Sequence, residues 1–521
     1  MKINAFLISV ITTAYLCLLD GITASPLRLQ ARAGRSDKVI VGYFPNWLYG
    51  RYLPSKIDFK RYTHINYAFA IQNSGGTPIW QDTGVFDDYV QYGFPKLISL
   101  AHQAGTKVLI SVGGWSGSTG FSTMAASASS RKSFVQWNID FIKKFNTDGV
   151  DIDWEYPNSV GAGCNAVSDQ DVDNFNLLIK ELREALDSNF PNGHKEISIA
   201  VHITPWGGAT KSDDVSGFVP YVDRFHVMAF DVNGAWNSTS GPNAPFRAEP
   251  GKGYSVGFAQ GIEAWNAAGV PYNKLVGGIP FYGRAQTLTV SSNPTTQYNP
   301  AVSPNPPLGD SLDGPWTNPY CSKDSSQASG VWRWANMRSS GLLSSPTTAA
   351  SPWIRHFDDI TQTPWLYNPT NKQFISYDDP ISLGVKTKYA LDKGLAGLFV
   401  WSIEQDNGEL LDAISPMIGG NSPPSAITSG APSATNTPSQ TSTQSATASV
   451  PPTSSSTTTN GSPTGTAGCD SANTWSSGTV YTSGSLATYQ GKLYKAQWWT
   501  QGETPSANGP SWSVWSLVKT C

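Results

Sequence analysis

The stretch 145-FNTDGVDIDWEYP-157 places four carboxylates, Asp148, Asp151, Asp153 and Glu155, within eight residues. The chain as a whole is only 14% charged, against about 25% in ordinary soluble proteins. Negative charge is thus concentrated where the apolar pattern reads as a buried strand. Side chains alternate sides along a strand, so Asp151, Asp153 and Glu155 share one face while Val150, Ile152 and Trp154 take the other. Carboxylates this close do not all ionise: at least one proton is retained, and the best desolvated group has its pKa pushed upward. A carboxylic acid still protonated near neutral pH is what a general acid requires. The expected acid is Glu155, at the end of the strand, tuned by the carboxylates beneath it. A solvated acidic face fits poorly, because each acid is flanked by a large apolar residue. An oxygen-rich calcium or magnesium site fits poorly as well, since such sites usually lie on flexible loops that add carbonyl ligands.

The elements that must hold this strand are legible as alternating patterns. Short β-rich runs begin near residues 38, 62, 107, 149, 196, 224, 275 and 395, as in 107-KVLISVGG-114 and 395-LAGLFVWS-402. Amphipathic stretches separate several of them. Phe175, Leu178, Ile179, Leu182 and Leu186 recur at helical spacing in one, and Phe134, Trp137, Phe141 and Phe145 in another. Eight nearly continuous apolar strands alternating with helices predict a parallel sheet, and eight is the number that closes a TIM (β/α)8 barrel. The carboxylates then point into the barrel and climb toward its active end. The gap between the seventh and eighth strands is far beyond a βα loop. Aromatic and turn-rich pieces such as 352-PWIRHFDDITQTPWLYNP-369 predict a small folded insertion there, at about 286–375, that raises one wall of a groove.

The remaining sequence bounds the setting. Lys2, the apolar run 5-AFLISVITTAYLCLL-19 and the small residue Ala24 have the layout of a signal peptide over 1–24. A short segment, 25–37, leads into the barrel domain at 38–418. Residues 419–467 are rich in Ser, Thr and Pro, as in 451-PPTSSSTTTNGSPTG-465; the expectation is a disordered tether. Residues 468–521 form a separate small module, expected to be all-β, with five Trp (475, 498, 499, 512 and 515). So small a domain rarely buries five indoles, and exposed aromatic surface marks a binding site. Once Cys17 leaves with the signal peptide, four cysteines remain. Position favours Cys469–Cys521 within the module, leaving Cys164–Cys321. The six His lack metal-ligand spacing, so neither a metal nor a cofactor is expected. Net charge of −3 gives no electrostatic case for nucleic acid or an acidic membrane, and a secreted monomer is expected.

The acidic strand also limits the reaction. Hydrolysis of a glycosidic bond normally takes two carboxylates flanking the bond, one as acid and one as base or nucleophile. Here the carboxylates are stacked on one strand beneath a single acid. That arrangement suits a substrate carrying its own nucleophile, such as a 2-acetamido group. Asp148-x-x-Asp151-x-Asp153-x-Glu155 resembles the DxxDxDxE signature of glycoside hydrolase family 18, the chitinases. In order along the chain, 111-SVGG-114, 228-MAFD-231, 280-PFYGR-284 and 399-FVWS-402 resemble the family's further motifs, and 374-FISYDDP-380 resembles the end of the α+β insertion found in its deep-grooved branch, which implies a small α+β insertion between strands seven and eight. The likeness covers roughly residues 38–418.

The resemblance implies a role for each matching residue. Glu155 is the acid and base. Asp153 turns the substrate acetamide onto C1, and Asp151, held by Tyr43 and Ser111, stabilises the charge on Asp153. Asp231 assists from the opposite side. Trp401 floors the reacting sugar, and Trp115 and Trp236 stack on the leaving-group side. Gly114, Tyr156, Met228, Tyr282 and Arg284 line the groove. Chitin and chito-oligosaccharides are the implied ligands. One residue departs from the pattern: the third position of Met-x-Tyr-Asp is Phe230, and a lost donor at such a site can raise the barrier by up to ~3 kcal/mol. Asn237, beside that motif, and Asn460 open glycosylation sequons. The module's 489-YQGKLYKAQWWTQGETP-505 resembles the family 5/12 carbohydrate-binding modules, with Trp498 and Trp499 as stacking platform and Tyr481 as a third ring. Two other readings are a chitin-binding lectin on the same barrel, for which Phe230 speaks, and an endo-β-N-acetylglucosaminidase acting on N-glycans.

Overall fold

The computed structural model describes residues 37–206, 214–419, 472–481, 485–496, 500–501, 504–506 and 515–521. The signal-peptide and tether expectations, with Asn460, Cys469, Trp498 and Trp499, lie outside those residues. The chain divides between Ser429 and Gly430 into two units.

In the first unit, β1 (Val39–Pro45), β2 (His64–Ala70), β3 (Lys107–Gly113), β4 (Gly149–Asp153), β5 (Glu196–His202), β6 (Arg224–Met228) and β7 (Leu275–Pro280) close with Gly397–Trp401 into an eight-stranded barrel. Every pairing is parallel. These are the eight expected runs, trimmed at their ends. Helix Asp171–Asn189 buries Phe175, Leu178, Ile179, Leu182 and Leu186 against the strands. Helix Ala128–Phe145 is capped at its start by Ser127 and ends on Asn146 in the left-handed region. It buries Phe134 and Phe141, while Trp137 and Phe145 stay partly exposed at the edge of the same core.

The apolar residues sort into two layers. A large core lies between strands and helices and absorbs many of the aromatics, among them Trp154, Trp206 and Trp265. A small one inside the barrel holds Val41, Tyr43, Ala68, Val276 and Phe399. Alternation along β4 decides the division: Val150, Ile152 and Trp154 join the outer core, and Asp151 and Asp153 point inward at 0% and 3% exposure. At the start of the strands Glu196 accepts hydrogen bonds from Lys107 and Arg224 and pairs with His64 at 2.9 Å. This buried ionic plug closes the end away from the site.

The insertion is a five-stranded antiparallel sheet, built from β8 (Tyr282–Thr287) and from Val331–Arg333, Ile354–Asp358, Thr363–Asn368 and Gln373–Ser376, with one short helix, Trp334–Ser339. It starts at Tyr282 rather than near 286, because only Phe281 separates β7 from β8. Tyr282 and Arg284 therefore belong to the insertion, and the wall rises directly from the barrel strand that carries it.

The second unit is all-β. Leu486–Tyr489, Lys492–Ala496 and Trp515–Thr520 form a three-stranded antiparallel sheet, and Val480–Tyr481 pairs with Thr500–Gln501. Gln490 and Gly491, both at positive φ, make the two-residue turn of the first hairpin. Tyr481, Ala487, Tyr494, Ala496 and Trp515 are its buried core. Cys521 is disulfide-bonded.

Candidate active site

The inward face of β4 organises the site. Asp151 sits in the barrel interior and accepts hydrogen bonds from Ser111 (2.6 Å), Tyr43 (2.9 Å) and Ser198 (2.6 Å). Register puts two of these there: Ser111 on β3 and Ser198 on β5 are the ladder neighbours of Asp151. The Tyr43 hydroxyl also lies 3.0 Å from His226 Nδ1. Burial, with Arg224 and His64 nearby, pushes His226 well below its usual range, so it is neutral. Burial pushes Asp151 up to about 6 even though its three hydroxyl donors favour the charged form.

Asp153, one layer higher, has the opposite character. Its Oδ1 is buried with no hydrogen-bond partner. Burial, and after it the charges of Glu155 and Asp151, push its carboxyl well above the carboxylate range. Its backbone is firmly held, because the Asp153 carbonyl accepts from Gly114 N–H at 2.8 Å and from Ser118 Oγ at 3.2 Å. This contact explains the glycine pair of 111-SVGG-114. A Cβ on Gly113 would lie 2.0 Å from the Asp153 oxygen and one on Gly114 2.6 Å from the Phe69 ring, and both residues have positive φ.

Glu155 follows at the barrel mouth, partly open to solvent. Ser118 Oγ accepts its N–H at 2.9 Å, and Asn165 Nδ2 donates to its carbonyl at 2.8 Å. Its carboxyl is pushed up to about 8, first by burial; a hydrogen bond from Tyr156 acts downward and the charge on Asp231 upward. A carboxyl raised this far keeps its proton near neutral pH, which is what a general acid requires. Asp148, the first acid of the motif, is elsewhere. It binds Val108 N–H and His102, both at 2.8 Å, and these hydrogen bonds outweigh burial to hold it below the usual range.

Asp231 faces this group from the end of β6, with φ of 56°. Arg284 clamps it through Nε and Nη2 at 2.8 and 2.7 Å, and the Tyr282 hydroxyl donates to it at 2.7 Å. Arg284 also lies over the exposed Trp236 ring, 5.2 Å from its centroid. Trp401, at the end of the closing barrel strand, stacks on Phe69 at 5.6 Å and extends through Trp47 at 6.3 Å. Met228 packs on the inner core beneath, and Tyr156 meets His202 edge-on at 5.0 Å. Phe230 packs edge-on to Tyr282 and Phe399, at 6.4 and 5.9 Å. Asn237, beside Trp236, accepts Gly234 N–H at 3.2 Å.

The structure thus gathers Tyr43, Ser111, Asp151, Asp153, Glu155, Asp231, Tyr282 and Arg284 into one site and sets Trp401 beside Asp231 in the cleft. Trp115 stands at the far rim, 44% exposed. The Cys164–Cys321 disulfide is formed. Tyr481 does not offer a ring face. It is 6% exposed, packs edge-on to Trp515 at 5.0 Å and accepts Ser476 N–H with its hydroxyl. Sequence reasoning missed Ser198 and His226 around Asp151, Ser118 and Asn165 around Glu155, and Trp47 and Phe69 beside Trp401.

The family model for Glycosyl hydrolases family 18 matches residues 39–406. The chain belongs to glycosyl hydrolase family 18. It is a glycoside hydrolase, and residues 474–516 match Carbohydrate-binding module family 5/12. A chitinase-like effector of Moniliophthora roreri is 33% identical over 75% of this chain and 95% of its own. Chitinase A1 of Niallia circulans is 31% identical over 76% of this chain and 61% of its own. The crystal structure of a chitinase from Rhizomucor miehei superposes with a TM-score of 0.65 and 32% identity, covering 73% of this chain and all of that one.

Proposed function

We propose that this protein is a secreted chitinase that cleaves β-1,4 links between N-acetylglucosamine units with retention of configuration, the substrate acetamide acting as nucleophile. The observation that carries the mechanism is the unpartnered, buried Oδ1 of Asp153 beside the raised carboxyl of Glu155. A buried acceptor without a donor is unfavourable until something supplies one, and an acetamide N–H at C2 of the bound sugar does so. With its N–H held by Asp153, the acetamide carbonyl oxygen turns onto C1. Glu155 donates its proton to the glycosidic oxygen as the C1–O bond breaks, and the acetamide oxygen bonds to C1 to give an oxazolinium ion. The leaving chain departs as an alcohol. Water then attacks C1 and gives its proton to the Glu155 carboxylate as the oxazolinium opens. Two displacements at C1 leave the β-anomer.

The surrounding residues serve these charges. Asp151 and its three hydroxyls stabilise Asp153 in either protonation state, and Asp231, fixed by Arg284 and Tyr282, faces the same sugar from the other side. Secretion is supported by the apolar run after Lys2 and by a disulfide, which persists in oxidising compartments. The module carries the family 5/12 likeness and tethers the enzyme to insoluble chitin, raising local concentration without changing the chemistry. Early product anomers from chitin, read by NMR for wild type and Glu155→Gln, test the proposal. Release of β-anomeric product by wild type alone is expected. An α-anomer would rule out acetamide participation, and chitin binding without release by either protein would favour the lectin reading that Phe230 suggests.

A further inference from the structure

Asp231 owes its place to more than the two side chains that grip its carboxylate. Its backbone, just past the end of β6, lies in the left-handed region with φ of 56°, which a non-glycine residue holds only where its surroundings enforce it. The enforcing group is Asn243, on the loop that follows β6 and fully buried at 0% exposure. Its Oδ1 accepts the Asp231 N–H at 3.1 Å, and its main-chain carbonyl accepts the next one, Val232 N–H, at 2.9 Å. Its Nδ2 donates to the carbonyl of Tyr282 at 3.3 Å. Tyr282 is the residue whose hydroxyl reaches the Asp231 carboxylate. These contacts close a ring: Asp231 and Tyr282 meet through their side chains at one end and through the Asn243 amide at the other.

Asn243 is itself pinned. Its N–H donates to Ser376 Oγ at 2.8 Å, and Ser376 is the ladder partner of Arg284, the other residue that grips Asp231. On either side, the Pro242 carbonyl accepts from Asn233 Nδ2 at 3.0 Å and the Ala244 carbonyl from Lys386 Nζ at 2.7 Å. Lys386, on helix Pro380–Asp392, is fully buried and paired with Asp378 at 2.6 Å. The end of β6, the insertion and a barrel helix therefore meet around this one residue. An amide suits the position because it presents an acceptor and a donor from one rigid plane, whereas Asp lacks the donor and Leu lacks both.

We propose that Asn243 is a positioning residue for catalysis: it sets the Asp231 carboxylate against the reacting sugar by fixing the Asp231 backbone, and touches no substrate itself. The inference rests on the chitinase reading above. Without Asn243, Arg284 and Tyr282 still hold the carboxylate, but the main chains that carry Asp231 and Tyr282 are no longer locked together. The carboxylate then drifts relative to Glu155, and its charge, which helps to keep the proton on Glu155, acts from a looser place.

Asn243→Ala and Ser376→Ala, each alone and combined with Asp231→Asn, test this. Ser376→Ala leaves the amide in place and releases only its backbone, so it probes the same path should Asn243→Ala fail to fold. Turnover of a short chito-oligosaccharide is measured across pH, and Tm is read alongside. In Asn243→Ala, kcat should fall about tenfold or more with KM little changed. The alkaline limb of kcat/KM should move to lower pH, because Glu155 loses part of the Asp231 charge while Asp153 and Tyr156, the other groups that face it, are unaltered. Ser376→Ala should shift both readouts the same way by less. In the Asp231→Asn background either substitution should change kcat by less than about twofold, since residues that act through one group are not additive. An equally large loss in that background, or a lower Tm with wild-type kcat and pH profile in the folded variants, would overturn the positioning role and leave the chitinase reading intact. No turnover of the oligosaccharide by wild type would overturn both.

Discussion

Replacing Glu155 with Gln should stabilise the protein, and the gain should depend on pH. The Glu155 carboxyl moves from an ordinary 4.5 to about 8, chiefly by burial. At ~1.36 kcal/mol per tenfold change in proton affinity, that rise corresponds to roughly 5 kcal/mol between ionised and protonated forms. Water at the mouth relaxes part of it, and Asp153 competes for the same proton, so ~2 kcal/mol is the working figure. Between about 4.5 and about 8 the folded state binds more protons than the unfolded chain. Stability therefore falls as pH rises through that window and levels off above it. Asp151, pushed up to about 6, adds a fall at lower pH that the variant retains.

The uncharged amide escapes the Glu155 contribution. By calorimetry, wild type and Glu155→Gln should unfold at similar temperatures near pH ~5, with the variant ~2–3 °C higher near pH ~9. A difference that is the same at both pH values would show that Glu155 does not titrate in this window. A variant less stable at the higher pH would refute the assignment of burial as the dominant cause.

Three further outcomes follow from the geometry. Phe230→Tyr should raise kcat/KM on chito-oligosaccharides by about tenfold, because the Tyr282 hydroxyl is already engaged by Asp231 and a positioned donor at an oxyanion-like site lowers the barrier; an unchanged value would mean that the ring edge does not face the acetamide. Arg284→Lys keeps the charge but loses the two-pronged grip on Asp231, and kcat/KM should fall by about tenfold; full activity would reduce Arg284 to a point charge. Truncation before Cys469 should leave oligosaccharide turnover unchanged and lower hydrolysis of insoluble chitin by about tenfold or more; equal hydrolysis would deny the module its tethering role.

The barrel is legible in the sequence because its determinants are local. Each strand is an apolar run, each helix has its own stripe, and β4 announces its two faces by alternation. The same logic identifies Glu155, Asp153 and Asp151. What escapes is set by contacts between distant strands. Ser198 and His226 are polar residues inside apolar runs, so a signal exists, but only ladder register shows that both approach Asp151 with Tyr43. Tyr481 shows the opposite error. An aromatic ring in a Trp-rich module suggests a platform, but Trp515 from the last strand covers it, and nothing near Tyr481 in the sequence reports that.

The insertion marks where local reading ends and function continues. Its length, its position after the seventh strand and the pairing of two cysteines are all readable, and together they imply a wall. That the insertion also meets the loop after β3 depends on Trp115 bonding Asp324, 209 positions away, and no periodicity encodes that contact. The stacked carboxylates lie within Asp151–Glu155, whereas the groups that hold and face them come from other strands and from the insertion.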